Sequence, residues 1–345
     1  MANDGFIVAL AIVLGAALAW GFKTLPDERW QVLASVPRER TDEGWRGLNL
    51  TYYGALTATA TMVAATLLVV LLGAVGVPAV GAVLLLTAVM FVGGPAAKLV
   101  ARRVEGKGGT FTIGGASFLG LLFAPAILWV GASWGTDHLT IAPGLAALVI
   151  AYAIGEGLGR LACISFGCCY GRALRRAHPA VRALFARWHF VFTGASKKAA
   201  YEGGLEREPV VPIQAITAVM YTAAGLIGLW LFMRSAFVTA FVAVCLATQL
   251  WRALSETLRV DHRGGGRISV YQVMAIAAAL YAVAIGAILP ASRLDRPDIV
   301  AGVTALWSPG VILVLQATWL GVFLYMGRSV VTASHIAIYV VKDRV

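Results

Sequence analysis

Residues 52–93, YYGALTATATMVAATLLVVLLGAVGVPAVGAVLLLTAVMFVG, decide the fold class: the stretch holds no charged side chain. Broken at Gly73–Val77, it gives two apolar runs on the scale of the ~20 residues with which a helix crosses hydrocarbon. The connection between them is short, so the two helices are antiparallel neighbours. Barrel strands need only about 9–11 residues and alternate in character, which these runs do not. In lipid every backbone N–H and C=O must find a partner inside its own segment, so a run of this kind is a transmembrane helix.

Working outward, further runs of the same kind fall at 5–22, 113–133, 139–155, 210–233, 236–252, 268–289 and 311–327, with 52–72 and 78–93 from the opening stretch. The expected fold is therefore all-α, a polytopic membrane helical bundle of about nine transmembrane helices. A small polar head, residues 156–209, sits between the fifth and sixth. The chain divides into an additional N-terminal helix and loop (1–51), a membrane core (52–289) and an additional C-terminal helix and tail (290–345). Composition agrees: 13% of the 345 residues are charged and 59% hydrophobic, against about 25% charged in a soluble domain. The first run follows MANDG, without the basic segment or small-residue cleavage site of a secretory signal, and is expected to be a retained helix.

The net charge of +11 raises the question of nucleic acid. No stacking aromatics are interleaved with the cations, and no nucleic-acid partner is expected. The cations follow the membrane instead. Of the 28 Lys and Arg residues, 25 lie in the alternate segments 23–51, 94–112, 156–209, 252–267 and the tail beyond 327; the opposite set carries 3. Such alternation supports the nine-helix count, and the positive-inside rule puts the N-terminus outside and the head in the cytoplasm.

Three constellations carry candidate chemistry. The first is GEGLGRLACISFGCCYGR, residues 155–172. Its glycines permit left-handed turns and close backbone approach, and Glu156 and Arg160, four apart, share a face if the helix continues. Ionisable groups at membrane depth line cavities or pair with each other. Cys163, Cys168 and Cys169 lack the C-x2-C spacing of a zinc ribbon and no His follows at the usual interval, so they are read as small packing residues, with no metal and no cofactor expected.

The second comprises Trp251, Arg252, Glu256 and Arg259. Spacings of four and three set the last three on one helical face, and two guanidiniums held by one carboxylate make a fork suited to a phosphodiester. The competing reading is an interfacial ion-pair network with snorkelling arginines. Gln272, just inside the next helix, adds a neutral donor.

The third is GGASFLG, residues 114–120, after the basic run Lys98, Arg102, Arg103 and Lys107. A helix start at Gly114 and Gly115 offers free amides and a positive dipole end to an anion; small residues at a membrane helix end also serve close packing. Tyr52 and Tyr53 read first as an aromatic belt and second as ligand contacts.

In this order the pieces resemble the prolipoprotein diacylglyceryl transferase family, over roughly residues 49–289. The resemblance rests on YYG at 52–54, GG at 93–94, GGASF at 114–118, GRL at 159–161 running on to GR at 171–172, PIQ at 212–214, RALSETLR at 252–259 and Gln272. That family moves a diacylglyceryl group from phosphatidylglycerol to a lipoprotein cysteine in the bacterial inner membrane. The resemblance implies that Tyr53, Arg160, Arg252, Glu256, Arg259 and Gln272 surround the lipid and the reaction centre.

The chain also departs from the pattern. Leu119 stands where the family carries a His used in catalysis, Cys163 and Phe166 replace two asparagines, and ValPro at 211–212 replaces HisPro. The family's orientation turns the head to the periplasm, whereas Arg175, Arg176, Arg182, Arg187, Lys197 and Lys198 exceed the needs of a site and tip the reading toward the cytoplasm.

The expected function is a phospholipid-dependent transferase of the bacterial inner membrane. A lipid such as phosphatidylglycerol is the donor, and a lipid-modified or other polar molecule is the acceptor. Arg160, Arg252 and Arg259 neutralise the phosphate, Glu256 orients them and Glu156 takes the acceptor's proton; Tyr53, Gly114, Gly115 and Gln272 contact substrate. The alternative is a lipid-binding or lipid-transporting protein that keeps the cavity without the reaction. A secondary transporter predicts internal repeats, and the 155–172 segment has no partner elsewhere in the chain.

Overall fold

The structure, a computed structural model, describes residues 1–105, 113–133, 140–260, 268–290 and 296–345; Lys107 lies outside them. In chain order the elements are α1 (Ala2–Thr24), β1 (Val32–Thr41), β2 (Gly44–Thr51), α2 (Tyr52–Ala74), α3 (Ala79–Glu105), α4 (Ile113–Ser133) and α5 (Ile141–Phe166). The head follows, with α6 (Pro179–Leu184), β3 (Phe190–Val191), α7 (Lys198–Tyr201) and β4 (Pro209–Val210). Then come α8 (Ile213–Phe232), α9 (Phe237–Ser255), α10 (Val270–Ile288), α11 (Ile299–Thr304), α12 (Pro309–Met326) and β5 (Arg328–Ile336).

Among the described residues eight helices are long and apolar enough to cross a membrane: α1, α2, α3, α5, α8, α9, α10 and α12. The expected fourth span coincides with α4 (Ile113–Ser133), which contains the apolar helical stretch Gly115–Gly131. The centre of the bundle is α5, packed against α2, α8 and α9 and buried along most of its length. The outer faces carry exposed Ile12, Trp129, Ile276, Leu280 and Leu313, the apolar girdle of a protein whose solvent is lipid.

Hydrogen bonds at the two ends show how the connections alternate. At one end Asn3 donates to the Pro297 carbonyl, the Asp298 amide to the Ala74 carbonyl, and Arg234 meets Asp4 at 3.5 Å. At the other end Thr51 N–H donates to Gly327 O, Val260 N–H to Tyr170 O, and Lys197 Nζ to Leu25 O and Ser165 O. Among the described residues, the cation-poor N-terminus and the connections at Ala74, Arg234 and Asp298 thus gather at the first end, and the cation-rich segments that hold Leu25, Thr51, Tyr170, Lys197, Val260 and Gly327 at the second.

Three expectations need correction. First, the expected helical bundle also carries a small antiparallel sheet of β1, β2 and β5, in the order β1-β2-β5. Trp45 pairs with Ile336 and Arg46 with His335, while Asn49 bonds Thr332 at 3.1 Å. Strand β1 is almost wholly exposed, so no buried apolar face marked it, and β2 finds its second neighbour nearly three hundred residues along the chain.

Second, the fifth helix does not stop at 155 but runs on to Phe166 and closes on Gly167 at φ +74°. Its glycines are packing residues there: a Cβ on Gly155 would lie 2.7 Å from Ala64 Cβ, and one on Gly157 would lie 2.5 Å from Thr222 Oγ1. Close approach to α2 and α8 offsets the helix-weakening entropy of glycine. Third, α3 extends beyond 93 through Pro95, so Lys98, Arg102 and Arg103 ride on its last turns rather than in a loop. Lys98 Nζ sits 4.8 Å from the ring centre of Tyr325.

The head is docked on the chain entering α2. Gln31 Nε2 donates to Ser196 O at 2.7 Å and Thr193 N–H to Pro26 O, and Ser165 Oγ to Trp30 O. Lys197 is fully buried; desolvation pushes its ammonium down to about 8 against the opposing pull of Asp27 and Glu28.

Candidate functional site

Because α5 continues past 155, Glu156 and Arg160 do share a face, and Arg160 Nη2 is ion-paired with Glu156 Oε1. One turn beyond α9, Arg259 Nη1 lies 3.5 Å from Glu256 Oε1, both side chains at most 6% exposed. Ser269 Oγ donates to the other Glu256 oxygen at 3.5 Å. The turn after α9 is held against the segment after α5 by the bridge between Gly171 and Arg259. A Cβ on Gly171 would come within 2.4 Å of Val211 O, so the packing of this segment against the chain entering α8 needs glycine.

Arg160, Arg252 and Arg259 line one cavity together with Cys169, Gln214, Tyr221 and Glu256. Two guanidinium atoms there, Arg160 Nε and Arg252 Nη1, are buried with no hydrogen-bond partner. Buried unpaired donors on permanent cations are costly, and an anion is the group that satisfies them. The cavity measures about 10 Å³, room for about one water. Tyr221 donates to Thr248 O at 3.2 Å and Trp251 Nε1 to Thr217 Oγ1 at 3.1 Å, which locks the α8–α9 wall.

One turn toward the membrane interior the same two helices line a second space. It is an apolar hollow of about 510 Å³ between α2, α3, α4, α5, α9 and α12, walled by residues such as Leu68, Val89, Leu121, Leu145 and Val322. Among the described residues Glu156 is its one charged lining residue. On α5 the step from Glu156 to Arg160, and on α9 the step from Gln249 to Arg252, cross from hollow to cavity. About one helical turn, ~5.4 Å, separates apolar room from fixed positive charge. Gly93, Gly94, Gly120 and Gly321 also line the hollow, and a Cβ on any of them would meet nothing within 4 Å; these glycines create room rather than contact.

The structure brings Arg160, Arg252, Glu256 and Arg259 together and sets Glu156 at the boundary. Of the other candidates, Gly115, Gln272 and Tyr53 are not among the residues lining the cavity. Gly115 is a packing residue, its Cβ position 2.5 Å from Val100 Cβ across the α3–α4 contact; Gly114 lies in the first turn of α4. Gln272 closes the N-terminus of α10 in a capping box with Ser269 and donates to Ala253 O at 3.1 Å. Tyr53 stacks edge-on against Phe166 at 5.6 Å. Leu119 lines neither space.

Sequence reasoning missed Cys169, Gln214 and Tyr221 as cavity residues. The PIQ triplet at 212–214 was a signal for Gln214, whose Nε2 donates to Cys168 O at 2.8 Å and whose Oε1 is unpartnered. Cys169 has φ +57°, and its sulfur is 3.8 Å from that of Cys168. Hydrogen bonds from Cys163 and Cys168, with Arg259 and Arg160 close by, hold the Cys169 thiol well below the usual cysteine range.

Compared with models of protein families and with curated proteins, the chain matches none.

Proposed function

We propose that the chain is a membrane-embedded, phospholipid-dependent transferase resembling the prolipoprotein diacylglyceryl transferases. It moves a diacylglyceryl or related lipid group from an anionic phospholipid, with phosphatidylglycerol as the candidate donor, to a polar acceptor in the bacterial inner membrane. One observation carries the reading: guanidiniums from α5, α9 and the turn after α9 line a single cavity one helical turn from an apolar hollow. An acyl chain suits the hollow, and a phosphate suits the unpaired donors of Arg160 and Arg252. Since the cavity admits about one water, the phosphate enters as the arginine side chains move apart.

In the transfer an acceptor heteroatom attacks the terminal glyceryl carbon, the bond from that carbon to the phosphate oxygen breaks, and glycerol phosphate leaves with the electron pair. The three arginines stabilise the charge that gathers on the leaving group. Glu256 holds Arg259 in position, and Glu156, at the boundary of hollow and cavity, takes the acceptor's proton. With Leu119 in the place of the family's His, the acceptor is a molecule other than a lipoprotein thiol.

A second reading keeps the lipid and drops the reaction, and the small cavity and Leu119 favour it. Purified protein incubated with phosphatidylglycerol labelled in its head-group glycerol separates the two: release of labelled glycerol phosphate supports the transferase, and lipid retained without release supports the binding protein. Arg160→Ala is expected to abolish release while the protein stays monodisperse in detergent. Full turnover in that variant would end the assignment.

A further inference from the structure

We propose that Cys163, Cys168 and Cys169 form a binding site for a thiophilic d10 metal ion, with Zn²⁺ as the best fit. Their three Sγ atoms lie within 4.8 Å of one another. A triangle with sides no longer than that has its centre within about 2.8 Å of each corner, and a contraction of about half an ångström gives the Zn–S bond of roughly 2.3 Å. The 3.8 Å separation of the Cys168 and Cys169 sulfurs equals the spacing of about 3.8 Å between two thiolates on one tetrahedral zinc.

The backbone is organised for this arrangement. Cys163 sits in the last turn of α5, and the Cys168 amide donates back to the Cys163 carbonyl at 3.0 Å. Gly167 at φ +74° reverses the chain, and Cys169, a non-glycine residue at φ +57°, reverses it again. Strain of this kind persists only where surroundings over-determine it, and it gathers at ligand clamps. Gln214 pins the Cys168 carbonyl. The doublet therefore delivers two sulfurs to one point although it lacks the C-x2-C spacing, because two left-handed residues do the work of the intervening turn.

Charge selects the ion. Three thiolates around a dication leave one net negative charge, with the guanidiniums of Arg160 and Arg259 lying near the Cys169 sulfur; a monovalent soft ion would leave two. Three sulfurs leave one tetrahedral position unfilled, and Cys169 lines the arginine cavity, so that position is open to a water or an anion held there. The fourth cysteine, Cys245, stands apart in α9 and serves as the internal control.

The test uses the full chain in detergent, reduced, stripped with a chelator and desalted. After loading with Zn²⁺, elemental analysis is expected to find one zinc per chain. Titration with Cd²⁺ is expected to give a thiolate-to-cadmium charge-transfer band that saturates at one equivalent. Cys168→Ser and Cys169→Ser each weaken binding by roughly tenfold or more, while Cys245→Ser binds as the parent does. In the unsubstituted protein bound zinc protects Cys168 and Cys169 from maleimide, a readout that needs no variant to fold. Fully reduced protein that takes up less than about one zinc per ten chains, or that binds zinc equally when Cys168 and Cys169 are both Ser, overturns the site. These readouts involve no lipid, so loss of the transferase reading leaves them unchanged.

Discussion

Arg252 is the residue on which the cavity turns. It is 8% exposed and its Nη1 has no hydrogen-bond partner; under the proposed function that donor is the one offered to the lipid phosphate. Arg252→Lys keeps the charge but removes the planar fork, so glycerol phosphate release is expected to fall roughly 100-fold, the usual loss for one preorganised donor. Unchanged kcat/KM in that variant would show that the fork is not used. Lys197 allows a prediction independent of function. Its unfolded value is 10.5 and its folded value about 8, so between these the unfolded chain holds a proton that the folded chain does not. Stability attributable to this group therefore rises with pH across that window and is lowest below it. Melting of wild type minus Lys197→Met, followed from pH 7.5 to 10.5, is expected to rise; a flat difference would refute it. Neither arginine nor lysine is unusual as a letter in the sequence. Arg252 could be placed on a helical face with Glu256 and Arg259 because α-helical spacing is local, but its unpaired donor depends on what α5 and α8 bring opposite it.

Among the helices, glycines of one composition divide into two kinds, and their variants should behave in opposite ways. Gly115 meets Val100 at 2.5 Å, whereas Gly120, one and a half turns on in α4, meets nothing within 4 Å and faces the hollow. Gly115→Leu is expected to part α3 from α4 and cost on the order of 1–3 kcal/mol in overpacking, seen as a lower melting temperature in detergent. Gly120→Leu is expected to leave melting within about a degree while filling the hollow, so that phospholipid measured by mass spectrometry no longer co-purifies. Equal lipid content in Gly120→Leu and wild type would show that lipid does not use the hollow. The existence of the helices was legible from apolar length alone. The extension of α5 from 155 to Phe166 was not, because GEGLGR combines glycines and charges that read as a helix end until the faces of α2 and α8 are set against them.

For the molecule as a whole, the N-terminal and C-terminal segments meet in the sheet β1-β2-β5 beside the start of α2, where a Cβ on Gly54 would fall 2.1 Å from Gly327 Cα. Removing residues 328–345 exposes the edge of β2 and is expected to lower the apparent melting temperature by roughly 5 °C, with the helical circular dichroism of the bundle kept; an unchanged melting temperature would show that β5 contributes nothing. The cation alternation also belongs to this scale. Membrane insertion reads each loop's charge, and the hydrogen bonds that gather Asn3, Ala74, Arg234 and Asp298 at one end agree with the count made on the chain. By itself the sequence determined that this is a multi-pass helical membrane protein, which connections share an end, and that Glu156–Arg160 and Arg252–Glu256–Arg259 are local sets, because hydropathic length, loop charge and helical period are properties of neighbouring residues. Only the tertiary structure decided that the two sets meet in one cavity, that an apolar hollow adjoins it, that three cysteines bring their sulfurs together and that the chain ends close a sheet. Apart from the cysteines, which are close in sequence and converge through the left-handed turns at Gly167 and Cys169, each of those is a contact between segments far apart along the chain, and no local pattern encodes the distance between them.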